Sequence, residues 1–207
     1  RGAENKMSRR DGYCVVTLSW VFFTFFGMLP FYFSGSIDTI TNAFFETMSG
    51  FTTTGATILD DIESLSHGML FWRSLTQWIG GLGIVFFTIA ILPIFTTGGV
   101  QLFSAESTGV THDRTHPKIN VMAKWLWTIY LVLTVSETVL LMFGGMSLFD
   151  AICQSFATTA TGGYSTKQNS ISYWNSPYIE YVVAIFMIVS SINFSLFLMC
   201  LKGKVGR

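Results

Sequence analysis

Apolar residues in this chain are gathered into four long blocks, Tyr13–Phe33, Met69–Pro93, Val121–Phe143 and Tyr178–Leu201, each nearly free of charge. Roughly 20 apolar residues suffice to cross a bilayer core as helix, so the pattern predicts four spanning helices. Between the first pair and between the second pair lie shorter, moderately apolar stretches, Ile37–Ser49 and Ser147–Ala157. Ser36 or Asp38 can cap the first as a helix. At about a dozen residues each they are too short to span, and re-entrant segments are expected. Each runs into a Thr/Gly tract, Gly50-Phe51-Thr52-Thr53-Thr54-Gly55-Ala56-Thr57 and Thr158-Thr159-Ala160-Thr161-Gly162-Gly163-Tyr164-Ser165.

The two halves share one frame. An ungapped shift that places Gly55 on Gly163 also places Ala43 on Ala151, Thr53 on Thr161 and Thr57 on Ser165. The same shift carries Tyr13 onto Val121, Met69 onto Pro177 and Pro93 onto Leu201. Identity is low, but helix borders and tracts fall into register together. The expected organisation is an N-terminal segment 1–12, a first helix–pore loop–helix unit 13–93, a connection 94–120, a second unit 121–201 and a tail 202–207.

Composition strengthens the membrane reading. Of 207 residues, 50% are hydrophobic and 12% charged, and mean hydropathy is +0.51. Soluble domains carry about 25% charged residues. The first apolar block is too long for a cleavable signal peptide and lacks a small-residue cleavage site. Ten of the twelve Lys and Arg residues fall before the first block, around the central connection or after the last block; Arg73 and Lys167 are the exceptions. The positive-inside rule makes that side cytoplasmic. Both ends and the connection are then internal, and the two units run parallel.

Asp38, Glu46, Asp60, Asp61, Glu63, Asp150 and Glu180 fall in the external connections or at their borders. They either concentrate cations at a mouth or solvate loops and cap short helices. Arg73 is expected to pair with Asp60, Asp61 or Glu63, or to snorkel toward headgroups. Glu137, inside the third block, is expected to hydrogen-bond a neighbouring helix, and Asn193 likewise. Gly80, Gly81 and Gly83 suit close helix packing. Cys14, Cys153 and Cys200 are spaced for neither a metal site nor disulfides and read as buried thiols. His112 and His116 belong to a solvated loop ending at Pro117. No phosphate-binding or nucleophile motif occurs, so no enzyme activity, no cofactor and no nucleic-acid partner are expected.

Irregular backbone at membrane depth is tolerated where it is buried in protein or lines a water-filled path. Glycine admits the left-handed conformations that let successive carbonyls face one way, and threonine adds hydroxyl oxygens. Rings of such oxygens replace the hydration shell of a potassium ion. The partly negative C-terminal end of each short helix favours a cation at the same place. The candidate ligands are the backbone or hydroxyl oxygens of Thr53, Thr54, Gly55 and Ala56, and of Thr161, Gly162, Gly163 and Tyr164.

The run Ala43–Thr57, the following Phe71-Trp72-Arg73-Ser74-Leu75-Thr76-Gln77-Trp78-Ile79-Gly80-Gly81-Leu82-Gly83, the segment Gly98-Gly99-Val100-Gln101-Leu102-Phe103 and the second loop around Phe149–Cys153 and Ala160–Ser165 resemble the membrane subunit of bacterial Trk-type potassium transporters. The resemblance covers nearly the whole chain. It implies an all-α membrane protein with potassium-channel-like repeats, four around one pore, and therefore half of a pseudo-four-fold pore here. It implies one filter glycine per unit, Gly55 and Gly163, with Gly162 an extra neighbour. It further implies potassium as substrate and uptake across the bacterial inner membrane. The partners it implies are lipid, the remaining two pore units, a cytoplasmic nucleotide-binding regulatory subunit (TrkA) and a second copy in a homodimer. With two units, the chain is expected to be a piece of a longer protein. The competing readings are a cation-coupled secondary transporter with an alternating-access midplane site and a non-conducting scaffold.

Overall fold

A proline splits the first apolar block. The computed structural model describes residues 9–95 and 116–192, with side chains over 13–83 and 124–192. In it the block forms α1, Arg9–Gly27, followed by the short α2, Leu29–Phe33. Pro30 has no N–H to bond back to Phe26, and proline is accepted in the first turn of a new helix. The path continues through Met28, whose N–H reaches the Thr24 carbonyl at 2.9 Å. Most of the connection 94–120, the distal ends of the chain, and with them His112, Asn193 and Cys200, lie outside the described residues.

The remaining long helices are α4, His67–Phe95, and α5, His116–Phe143, and the last is α7, Pro177–Ser191. The first two outrun their apolar blocks. Backbone hydrogen bonding does not need apolar side chains, and Pro117, second in α5, suits a helix start. Among the described residues there is no strand.

The short stretches form α3, Ile40–Phe51, and α6, Leu148–Thr159, twelve residues each. At 1.5 Å per residue such a helix is about 18 Å long and stops inside a 30 Å core. Their ends match under the 108-residue shift, and so do their caps. The Thr39 hydroxyl accepts from the Asn42 N–H at 3.3 Å, and the Ser147 hydroxyl from the Asp150 N–H at 3.1 Å. The cap is therefore Thr39 rather than Ser36 or Asp38. Thr39 holds the extended backbone of an N-cap, while the Ser36 hydroxyl pairs with Ser34.

Each unit has its own core. Met28, Phe31, Ile37 and Ala43 form the first, and Leu141, Met146, Ala151, Ile179, Val182 and Val183 the second. Ala43 and Ala151 occupy equivalent positions, both fully buried. The units are joined chiefly by α4 lying on α6. Trp78 stacks on Phe156 with ring centroids 5.1 Å apart, and its indole N–H donates to the Thr134 hydroxyl of α5 at 3.0 Å. Outward faces are apolar: Leu18, Phe22, Phe23 and Phe26 of α1 and Val132, Val135 and Val139 of α5 are exposed, as lipid-facing positions are. Cys153 is buried as expected, but Cys14 is exposed on this outer face of α1.

On the rim the units touch again. The Lys167 ammonium lies 3.4 Å from a Glu63 carboxylate oxygen, and the Gln168 side chain accepts from the Ile62 N–H at 3.0 Å. Some desolvation opposes it, but the hydrogen bond and charge of Glu63 leave the Lys167 ammonium above its ordinary pKa. This pair is largely wet. Lys167→Gln is expected to cost less than about 1 kcal/mol, and the cost should shrink as salt is raised. Melting in detergent at low and high ionic strength reads both.

Candidate functional site

Where α3 and α6 end, the chain turns through one shared geometry. The Thr53 N–H bonds the Gly50 carbonyl and the Thr54 N–H the Ser49 carbonyl, both at 2.9 Å. Their counterparts bond Thr161 to Thr158 at 2.9 Å and Gly162 to Ala157 at 2.8 Å. Thr53 and Thr161 both have φ of 54°, and Gly55 and Gly163 have φ of 78° and 84°. A left-handed conformation costs a β-branched residue about 1–2 kcal/mol. That strain occurs twice, at equivalent positions and two residues before a left-handed glycine. Alternation of left-handed with ordinary residues is a way for a chain of L-residues to turn successive carbonyls to one side. Strained backbone of this kind collects at functional sites.

The glycines differ in what they make room for. A Cβ on Gly55 would land on the Gly162 carbonyl oxygen, so the two tracts are in direct contact. Gly162 has no positive φ, and a Cβ there would strike the Gln77 side-chain amide. Gly163 is left-handed, with nothing described within 4 Å of its Cβ position. Gly163 is thus the conformational partner of Gly55, and Gly162 is small because Gln77 lies behind it. Thr161 and Gly163 are exposed while Gly162 and Tyr164 are buried. Thr53 and Thr161 come together at a cavity of about 150 Å³ that Gly81, Tyr130, Thr159, Ala160 and Ser190 complete. Thr54 pairs its hydroxyl with Thr52 at 2.8 Å. The Ala56 carbonyl is turned into the wall, where it accepts from the Ser49 hydroxyl at 2.6 Å and from the Tyr164 hydroxyl at 3.3 Å.

That wall holds the residues whose placement departs most from expectation. Arg73 is 2% exposed and pairs with neither Asp60, Asp61 nor Glu63. Its Nε donates to Glu46 Oε1 at 2.7 Å, its Nη1 to the Ser165 carbonyl at 3.0 Å, and its guanidinium lies 3.5 Å from the Tyr164 ring centroid. Glu46 is no mouth carboxylate either: it is 1% exposed. It also accepts from the Thr57 hydroxyl at 2.9 Å and the Ile58 N–H at 3.0 Å. One turn along α4 from Arg73, Gln77 Oε1 accepts the Tyr164 N–H at 3.1 Å. The Tyr164 hydroxyl returns to the Glu46 carbonyl at 2.8 Å. The overlooked signal was an ionisable residue inside an apolar block, which needs a buried partner, with a second polar residue four positions on, on the same helix face.

Asp61 and Asp150 serve loops and a helix start. Asp61 accepts from the N–H groups of Glu63 and Ser64, and Asp150 from the hydroxyls of Ser147 and Thr166. Gly80 and Gly81 do allow close packing: a Cβ on Gly80 would meet the Phe51 carbonyl at the end of α3, and one on Gly81 the Tyr130 hydroxyl of α5 and, next, Ala160. Glu137 is fully buried beside Thr158 and Thr159 of α6. Its carboxylate faces these two hydroxyls on the neighbouring helix, as expected of it, without a hydrogen bond of good geometry to either. Thr158 gives its hydroxyl to the Gln154 carbonyl instead.

Spanning helices, two capped re-entrant helices and two strained tracts meeting at one place define a membrane protein of the pore-loop class. The profile of the TrkH family, described as a cation transport protein, matches residues 2–207, and the chain belongs to that family. It is 47% identical over 206 residues to the Trk system potassium uptake protein TrkH of Escherichia coli (strain K12), covering 99% of this chain and 43% of that protein. Identity to TrkG of the same organism is 35% over 201 residues, covering 96% and 41%. The crystal structure of the potassium transporter TrkH from Vibrio parahaemolyticus is similar in fold, with a TM-score of 0.80 at 37% identity, over 98% of this chain and 40% of that one. The chain thus spans about two fifths of the length of these relatives.

Proposed function

We propose that this chain supplies two of the four pore-loop units of a potassium uptake protein and that its tracts form half of the selectivity filter. The observation that carries the reading is the repeated backbone pattern, left-handed at Thr53 and Gly55 and again at Thr161 and Gly163. Oxygens of Thr53, Thr54, Gly55, Thr161, Gly162, Gly163 and Tyr164 would replace the hydration shell of potassium. Ala56, its carbonyl held by Ser49 and Tyr164, contributes to the shape of the tract. The C-terminal ends of α3 and α6 add partial negative charge. Gly55 packs on the neighbouring tract while the equivalent side of Gly163 is open, which accords with a third tract seated there.

In this reading the remaining two units belong to the same polypeptide and the complete protein lies in the bacterial inner membrane. Both ends of this segment and the connection 94–120 face the cytoplasm, where a nucleotide-binding regulator resembling TrkA would dock, and the assembly is a homodimer. The test is flux through the full-length protein in liposomes. Rubidium uptake competed by potassium and not by sodium is the expected result. No uptake of any alkali cation would overturn the reading, and slow saturating flux locked to a proton or sodium gradient would replace it with coupled transport.

A further inference from the structure

We infer that Arg73, Gln77 and Glu46 of the first unit are positioning residues that set the ion selectivity of the second tract. The inference rests on the filter reading above and extends it to residues that touch no ion. Arg73 and Gln77, four apart on α4, grip successive parts of the other unit's tract. In a trans peptide the N–H and C=O point in opposite directions. By taking the Tyr164 N–H, Gln77 therefore turns the Gly163 carbonyl the other way, out of the wall. Arg73 draws the Ser165 carbonyl back and so ends the run of free oxygens. Glu46 holds the guanidinium through Nε, and the Tyr164 ring centroid lies 3.5 Å from it.

Among the described residues the second unit does not repeat these side chains. Under the 108-residue shift, Glu46, Arg73 and Gln77 correspond to Gln154, Tyr181 and Ile185. Stability alone is a poor reason to bury an ion pair, since apolar replacements of like volume are often neutral or better. A pair that also holds a neighbouring tract's carbonyl has another use: planar, forked guanidinium geometry fixes two acceptors at once. The first tract is held differently, by its own Ser49 and by the Tyr164 hydroxyl on Ala56. Support of the filter is therefore unequal between the units.

The test compares rubidium and radioactive sodium uptake by the full-length protein in liposomes. Arg73→Gln and Glu46→Gln should lower the rubidium-to-sodium ratio about tenfold, which is about 1.4 kcal/mol of discrimination. Arg73→Lys should fall between, because it keeps the charge but not the fork. Gln77→Met keeps volume and leaves no charge unpaired, so it tests the same point if the charge variants fail to fold. Lys167→Gln, on the rim, should leave the ratio unchanged. A merely structural role would lower both fluxes together and keep the ratio. An unchanged ratio in folded Gln77→Met and Arg73→Lys protein, beside a selective wild type, overturns this inference alone. A wild type that passes neither ion overturns the filter reading and this inference with it.

Discussion

Gly55→Ala is expected to destroy ion uptake by the full-length protein and to destabilise it strongly. The residue has φ of 78°, and the added methyl would land on the Gly162 carbonyl oxygen. The left-handed conformation alone costs an alanine about 1–2 kcal/mol. The clash adds to this because its partner is backbone, which cannot swing aside as a side chain does. A total of about 3 kcal/mol or more places the change among the severe class of substitutions. Gly35→Ala separates the two causes. Gly35 has φ of 68° and nothing described within 4 Å of its Cβ position, so its cost should stay near the conformational term, about 1 kcal/mol. Melting temperatures in detergent, read beside rubidium uptake, provide the comparison. Equal losses for the two variants would mean that the tracts do not meet at Gly55.

The second large effect is thermodynamic coupling between Glu46 and Arg73. Removing one member, as in Arg73→Met or Glu46→Gln, leaves the other buried and uncompensated, at a cost of about 3–5 kcal/mol. The partner sits at 2.7 Å with both residues almost fully buried. The double variant Arg73→Met with Glu46→Gln should be less damaged than the sum of the singles. Coupling of about 1–3 kcal/mol is expected of contacting residues in one network. Thermal unfolding of the four proteins in the same detergent measures it. Additive losses would show that the pair is not the unit drawn here. Lys167 and Glu63, of the same charge types but at a wet 3.4 Å contact, should show little coupling.

These contrasts show how far residue patterns carry. Helix existence, the re-entrant stretches and the 108-residue frame were all legible, because apolar runs and Thr/Gly tracts are local features repeated twice. The frame even held at the level of single dihedrals, at Thr53 and Thr161 and at Gly55 and Gly163. The bend at Met28 was also within reach through Pro30. The true cap was not: Ser36, Asp38 and Thr39 are all capping residues, and only backbone geometry selects Thr39. Arg73 and Glu46 misled because each stands near acids or borders in the sequence, and proximity along the chain says nothing about which way a helix face turns.

By itself, then, the sequence determined the class of fold, the repeat and the two tracts. All of these follow from composition and periodicity within a window of a few turns. Only the tertiary structure decided that Arg73 lies behind the tracts on Glu46 and Tyr164, and that Gln77 and Gly162 are matched to each other. It alone turned the Ala56 carbonyl into the wall and set the fully buried Glu137 against Thr158 and Thr159 of α6. The bonds of Arg73 to Glu46, Tyr164 to Gln77 and Tyr164 to Glu46 join residues 27 to 118 positions apart. Their energies depend on burial and on distances of a few ångströms, quantities that exist only once the two units have packed together.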